Sequence, residues 1–363
     1  MKIKTALLLM LAACAGSALA GPLAKENIDA NAKWLLHLDV DQFRESRLGK
    51  FLIKEVLLKK MDEAKASANN LLTNLDAVKI IGQIHSLSAY GTSFETDANL
   101  RRQGIFDSVP ELVVGTSLET GASLKGVLLL QVEPETRKIL EGLAAGLLLQ
   151  GDGTLTKTNE GGVDLYSVKD QLFVSPQDKG LILLSKSKAM IKEAMAVRTD
   201  KSKSLLASKA FTDFPPIADS IILMAVAEGF QDNLPIPPEA QVLRKADGAR
   251  VVLGETTGNL LLNVALKVKD PAVLKQIQQV VEGILALASL SQSENKELQQ
   301  LVQSVKVVAT EKVVSVTAAF PVDSIITKAG QMMADEQNPR HKAETSTAEK
   351  PEAGAADAKQ PQH

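Results

Sequence analysis

Asp39 and Asp41 are the residues whose type and spacing come closest to a chemical site. Two carboxylates two positions apart share one face of a strand, and hard cations are held by several such oxygens. The competing role is N-capping where a strand gives way to a helix. The sequence favours capping by Asp39 or Asp41, because a helical pattern follows and the matching place later in the chain keeps only Glu228. The histidines are His37, His85, His341 and His363, and there is no H-E-x-x-H. His37 and His85 fall in strand-like segments without a carboxylate at a metal-motif spacing, so each reads as a half-buried strand histidine.

Nucleophilic and phosphate chemistry find little purchase. Ser185-Lys186-Ser187-Lys188 fits S-x-x-K, in which a lysine activates a serine, but the companion S-D-N and K-T-G motifs are missing. There is no G-x-S-x-G, G-x-G-x-x-G or Walker-type loop. Gly151-Asp152-Gly153 and Gly161-Gly162 read as turns. Gly142 and Gly146 have the spacing of a close helix-to-sheet contact. The expectation is therefore no catalytic residue, no metal site and no cofactor.

The only cysteine is Cys14, inside a segment with the features of an export signal. Lys2 and Lys4 precede a short apolar run, and Ala18-Leu19-Ala20 is a small-x-small site, which predicts cleavage after Ala20. Leu11-Ala12-Ala13-Cys14 also resembles a lipobox, which would make Cys14 a lipidation site. The good site at Ala20 favours the reading in which Cys14 is removed. Disulfides and cysteine-built zinc are then excluded. The expected location is the periplasm or cell envelope of a bacterium, with membrane attachment only through a lipidated Cys14.

The elements that position these residues follow from patterning. The chain has 363 residues, 45% apolar, with a formal charge of −2 and 3% aromatics. That composition builds a packed core, and it lacks the basic footprint and stacking platforms of a nucleic-acid binder. Leu128–Pro134 and Val264–Pro271 each read as a strand that stops at a proline and opens an apolar helix. This repetition predicts α+β architecture: two related units of largely antiparallel sheet, each covered by amphipathic helices. The predicted organisation is a signal peptide over 1–20 and a linker over 21–31. A first unit follows over 32–198, a connection over 199–218, a second unit over 219–334, and a disordered tail over 335–363.

The pattern predicts one helix from Asp41 through Phe43, Leu48, Phe51, Val56 and Met61. A meander spans 155–184, a helix runs from Ser187 to Val197, and a short helix lies near Leu205. Further strands are predicted near Ile84–Phe94, Leu112–Leu118, Ala249–Thr256 and Leu260–Val268. Asp270 caps the helix opened by Pro271, and Pro321 opens the last helix. Whether the two units stack their sheets or continue one sheet is left open.

The segment Ala32–Phe43, leading into Ser46-Arg47-Leu48-Gly49-Lys50, resembles the start of an uncharacterised family of exported bacterial proteins. Ala89-Tyr90-Gly91 matches the strand that follows in that family. The resemblance implies export and a duplicated α+β unit, and it carries no activity. The leading expectation is a non-enzymatic envelope protein that binds a partner or an apolar small molecule. The alternatives are a hydrolase with an unrecognised site, in which Asp39, Asp41, His37 or His85 converge, and a self-associating structural protein.

Overall fold

In the strand Trp34–Asp39 (β1), Leu35, His37 and Asp39 are buried on one face, and Trp34, Leu36 and Leu38 are half-buried on the other. That period of two builds the whole sheet. The computed structural model describes residues 23–59, 82–94, 96–97, 123–138, 141–142, 148, 155–215, 220–229, 245–291 and 296–336. The expected signal with Cys14 and Ala20, the strand expected at 112–118, Gly151–Gly153 and residues 337–363 lie outside the described residues.

The strands after β1 are Ile84–Gly91 (β2), Thr96–Asp97 (β3), Ser123–Leu124 (β4), Val127–Val132 (β5), Leu155–Glu160 (β6), Val163–Val168 (β7), Leu172–Pro176 (β8) and Leu181–Ser185 (β9). They continue with Ile221–Glu228 (β10), Gly248–Thr256 (β11), Asn259–Lys267 (β12), Lys306–Ala309 (β13) and Val313–Pro321 (β14). β3 and β4 form a separate small ribbon. The other twelve make one antiparallel sheet in the order β13-β14-β12-β11-β10-β1-β2-β5-β9-β8-β7-β6. β1 and β10 join its two halves, from Trp34↔Ala227 to Leu38↔Leu223. The protein is thus α+β with a large antiparallel sheet, and the question of stacking or continuation resolves as continuation. Gly161 and Gly162 make the two-residue turn between β6 and β7, both at positive φ, the geometry that matches strand twist.

The described helices are Val40–Glu45 (α1), Arg47–Leu52 (α2), Lys188–Thr199 (α3), Pro271–Ser291 (α4), Lys296–Ser304 (α5) and Val322–Glu336 (α6). Residues 134–138 and 141–142 are helical too. Asp270 caps α4 by accepting the Ala272 N–H at 2.8 Å. Pro321 ends β14, so the last helix opens one residue later than expected, and it runs to Glu336.

The single helix expected from Asp41 to Met61 is interrupted. Ser46 is extended (φ −63°, ψ 153°), accepts the Gly49 N–H and donates to the Phe43 carbonyl. It therefore ends α1 and caps α2. Residue 49 must be glycine here, since a Cβ would stand 1.6 Å from the Phe43 oxygen.

Two cores form on opposite sides of the sheet. Leu35, Leu129, Leu183, Ile191, Val226, Ala265 and Val313 belong to one, which α3 covers. Val268, Leu274, Ile277 and Val314 belong to the other, with Leu266 packed against it, which α4 covers. Ala265 and Leu266 are chain neighbours, as are Val313 and Val314, so each pair points to opposite faces. Truncating Ile191 to alanine in such a setting costs about 2–5 kcal/mol.

Contacts across the two halves fix the start of α2. Glu255 of β11 accepts the backbone N–H groups of Arg47 (2.9 Å) and Leu48 (3.2 Å), and Arg47 pairs with Asp323. A carboxylate at a helix N-terminus meets the unpaired amides there.

Candidate functional site

Asp39 and Asp41 do not share a strand face. β1 ends at Asp39, and Asp41 lies in the first turn of α1. Asp39 is the cap, accepting the Gln42 N–H at 2.9 Å. Burial pushes its carboxyl above the ordinary value, against that hydrogen bond, which lowers it.

Asp41 instead reaches His85 on β2, 2.8 Å from Nδ1, and also pairs with Arg44. The Nε2 of His85 lies 3.1 Å from Glu133, at the end of β5. One imidazole is thus held between two carboxylates on different elements. A neutral ring carries one N–H and satisfies one of them, whereas the imidazolium donates to both. The two ring nitrogens point apart, so the carboxylates do not converge on one ion. Among the described residues no group of three or more His, Cys, Asp or Glu is placed to hold a metal.

The pairing of Asp41 with His85 has the form of an oriented general base, but Nε2 faces Glu133 where a nucleophile would have to stand. His37 lies apart, buried on the other sheet face, with Nδ1 2.8 Å from the Ser88 hydroxyl. It is fully buried rather than half-buried, because α3 and the connection cover that face. Of the four residues named for the hydrolase alternative, Asp41 and His85 come together, and Asp39 and His37 do not join them.

The S-x-x-K match dissolves similarly. The Ser185 hydroxyl donates to the Gly126 carbonyl at 2.8 Å and accepts the Ser187 N–H. The Lys188 ammonium sits 2.9 Å from Glu160, which Lys192 also reaches at 3.0 Å. These lysines tie the β6–β7 hairpin to α3 instead of activating a serine.

Two cations that sequence reasoning passed over face the connection, side by side on one sheet face. Lys267 at the end of β12 pairs with Asp213 (2.7 Å) and Glu228 (2.9 Å). Burial works against its charge, but the hydrogen bonds it donates to the two carboxylates outweigh burial and hold the ammonium above the usual lysine range. Arg250 of β11 is 8% exposed. It donates from Nη1 to the Pro215 carbonyl at 2.7 Å and stacks on Phe214, 5.3 Å from the ring centre. The readable signal was an arginine at a core-facing position of an otherwise apolar strand.

Apolar surface is present as well. Leu274 and Ile277 of α4 are buried, while Val280 is 47% and Leu287 68% exposed. The exposed pair, seven residues apart, lies on one side of the helix about a quarter turn from the buried stripe. No described helix is long and apolar enough to cross a membrane.

No family model matches this sequence. No curated protein matches it significantly. Among solved structures, three crystal forms of the Treponema protein TP0453 are similar. Form III has a TM-score of 0.42 at 9% identity, covering 84% of this chain and 96% of that one. Form IV has 0.40 at 10% identity, covering 84% and 95%. Form I has 0.39 at 10% identity, covering 85% and 96%. At such scores the likeness carries no argument about this chain's fold or function.

Proposed function

We propose that this is an exported, non-enzymatic bacterial envelope protein that binds an apolar ligand or partner, and that it belongs to the uncharacterised exported family its opening segment resembles. The observation that carries the binding reading is the second apolar stripe on α4, where Val280 and Leu287 face outward beside the packed Leu274 and Ile277. Exposed apolar side chains grouped on one helix flank mark binding surfaces more often than scattered ones do. The engagement of His85, Ser185 and Lys188 in structural contacts also supports a non-enzymatic role.

The same proposal takes the two halves as copies of one unit. In its support, β5 and β12 each precede a helix that starts at a proline, and α3 and α6 follow β9 and β14. Gly91 pairs with Trp34 as Gly254 pairs with Ile221, each at the start of the first strand of its half.

Native mass spectrometry of protein purified from its host's envelope tests this reading. The expected species begins at Gly21, lacks Cys14, and carries extra mass that leaves on denaturation. Replacement of Leu287 by Asp is expected to remove that mass. Recovery of uncleaved chain from the cytoplasm would sink the envelope assignment. A bare protein unaffected by Leu287→Asp would sink the binding one.

A further inference from the structure

Arg250 has five N–H donors, and two acceptors reach them among the described residues. Pro215 takes Nη1, and the Asn263 Oδ1 lies 3.4 Å from Nη2, a long contact. The Nε is buried, and no described residue hydrogen-bonds to it. No carboxylate among the described residues pairs with this guanidinium. Buried charges are ordinarily paired, because leaving water without a counter-ion is expensive. Nε and Nη2 project from the same side of the guanidinium and form the side-on fork that receives an oxyanion in two parallel hydrogen bonds.

A polar path leads to that fork along the sheet. Arg250 pairs with Ala265 on β12, Asn263 with Thr317 on β14, and Thr317 with Lys306 on β13. Paired residues, and residues two apart, share a face, so Arg250, Asn263, Thr317 and Lys306 line one surface. The Asn263 amide donates to the Thr317 hydroxyl at 2.9 Å, which aims its oxygen at Arg250. Asn263 and Thr317 are half-buried, and Lys306 is exposed at the sheet edge. No carboxylate pairs with Lys306 among the described residues either.

The geometry points to an anion-binding site in which the Nε/Nη2 fork of Arg250 receives one carboxylate or phosphate group, with Asn263 and Thr317 beside it and Lys306 at its mouth. The site lies on the sheet face opposite α4 and stands apart from the apolar-stripe reading. Displacement of the long Asn263 contact frees Nη2 and lets the anion satisfy Nε together with it.

The test follows the Nε–H resonance of Arg250 by NMR, identified by its loss in Arg250→Lys. Sodium octanoate, sodium phosphate and sodium chloride are added at matched ionic strength. A saturable shift with octanoate marks a carboxylate site, and one with phosphate marks a phosphate site. Chloride is expected to leave the signal in place. The same anion raises Tm by binding the folded state, and Arg250→Lys is expected to weaken it about tenfold or more, the loss of one charge-assisted hydrogen bond. Asn263→Asp supplies a carboxylate from within the chain. It is expected to raise Tm without added anion and to abolish the response. An Nε–H signal that follows neither anion beyond chloride, or a Tm rise that survives in Arg250→Lys, would overturn the assignment.

Discussion

Lys267 and Arg250 lie beneath the same short strap, Asp213–Pro215, and their charges are met in opposite ways. Lys267 is held by two carboxylates, Asp213 from the strap and Glu228 from β10. Arg250 receives a carbonyl, an aromatic face and a distant amide from the same neighbourhood. The first cation fastens the connection to the sheet. The second keeps a donor that nothing in the described chain uses. A fold that needs a buried charge for stability supplies a counter-ion, so a cation with none among the described residues points to a role outside folding.

Mutagenesis at the two sites separates these roles. Lys267→Met strands Glu228 and Asp213 and is expected to cost about 1–3 kcal/mol in denaturant unfolding. Part of that loss should return in the double variant with Asp213→Asn. Arg250→Met strands the Pro215 carbonyl but no carboxylate among the described residues, so stability should stay within about 1 kcal/mol of the parent. A loss as large as that of Lys267→Met would make the guanidinium structural and erase the contrast.

Acid gives a smaller effect. The Lys267 hydrogen bond holds the Asp213 carboxyl below its ordinary range, against a smaller upward push from burial. A lowered carboxylate stabilises the fold fully above the unfolded value, about 3.9, and that contribution fades as pH falls through the lowered one. Because Asp213 is about a third exposed, the effect should amount to well under about 1 kcal/mol. Stability measured against pH should show it in the parent and lose it in Lys267→Met. Smallest of all, Glu160→Gln cuts exposed pairs with Lys188 and Lys192, and Tm should not move measurably. A clear drop there would mean that exposed pairs matter as much as the clamp on Lys267.

Local chemistry was legible. The capping roles of Asp39 and Asp270, the turn at Gly161-Gly162, the meander over β6–β9 and the short helix at Leu205–Ala207 rest on interactions within a few residues or on simple alternation. The break at Ser46 was not, because the apolar spacing from Phe43 to Met61 continues across it. What stops the helix is a serine that caps forward and a glycine whose missing Cβ admits the Phe43 carbonyl. The candidate site was only half visible. Asp41 and His85 stand among the four residues the sequence offered for convergence, whereas Glu133 completes the cluster from just past β5, two places from β1 in the sheet.

By itself the sequence determined the α+β class, the caps at Asp39 and Asp270, the Gly161-Gly162 turn and the alternation along β12, since these follow from side-chain period and short-range hydrogen bonds. It also set an expectation of export through the segment ending at Ala20. Only the tertiary structure decided that β1 pairs with β10 to make one sheet, that two cores lie on its opposite faces, and that one strap answers the charge of Lys267 while no described residue takes the Nε of Arg250. Each of these depends on which distant segments meet, and a residue's own neighbours in the chain hold no record of the partner it will face across a sheet.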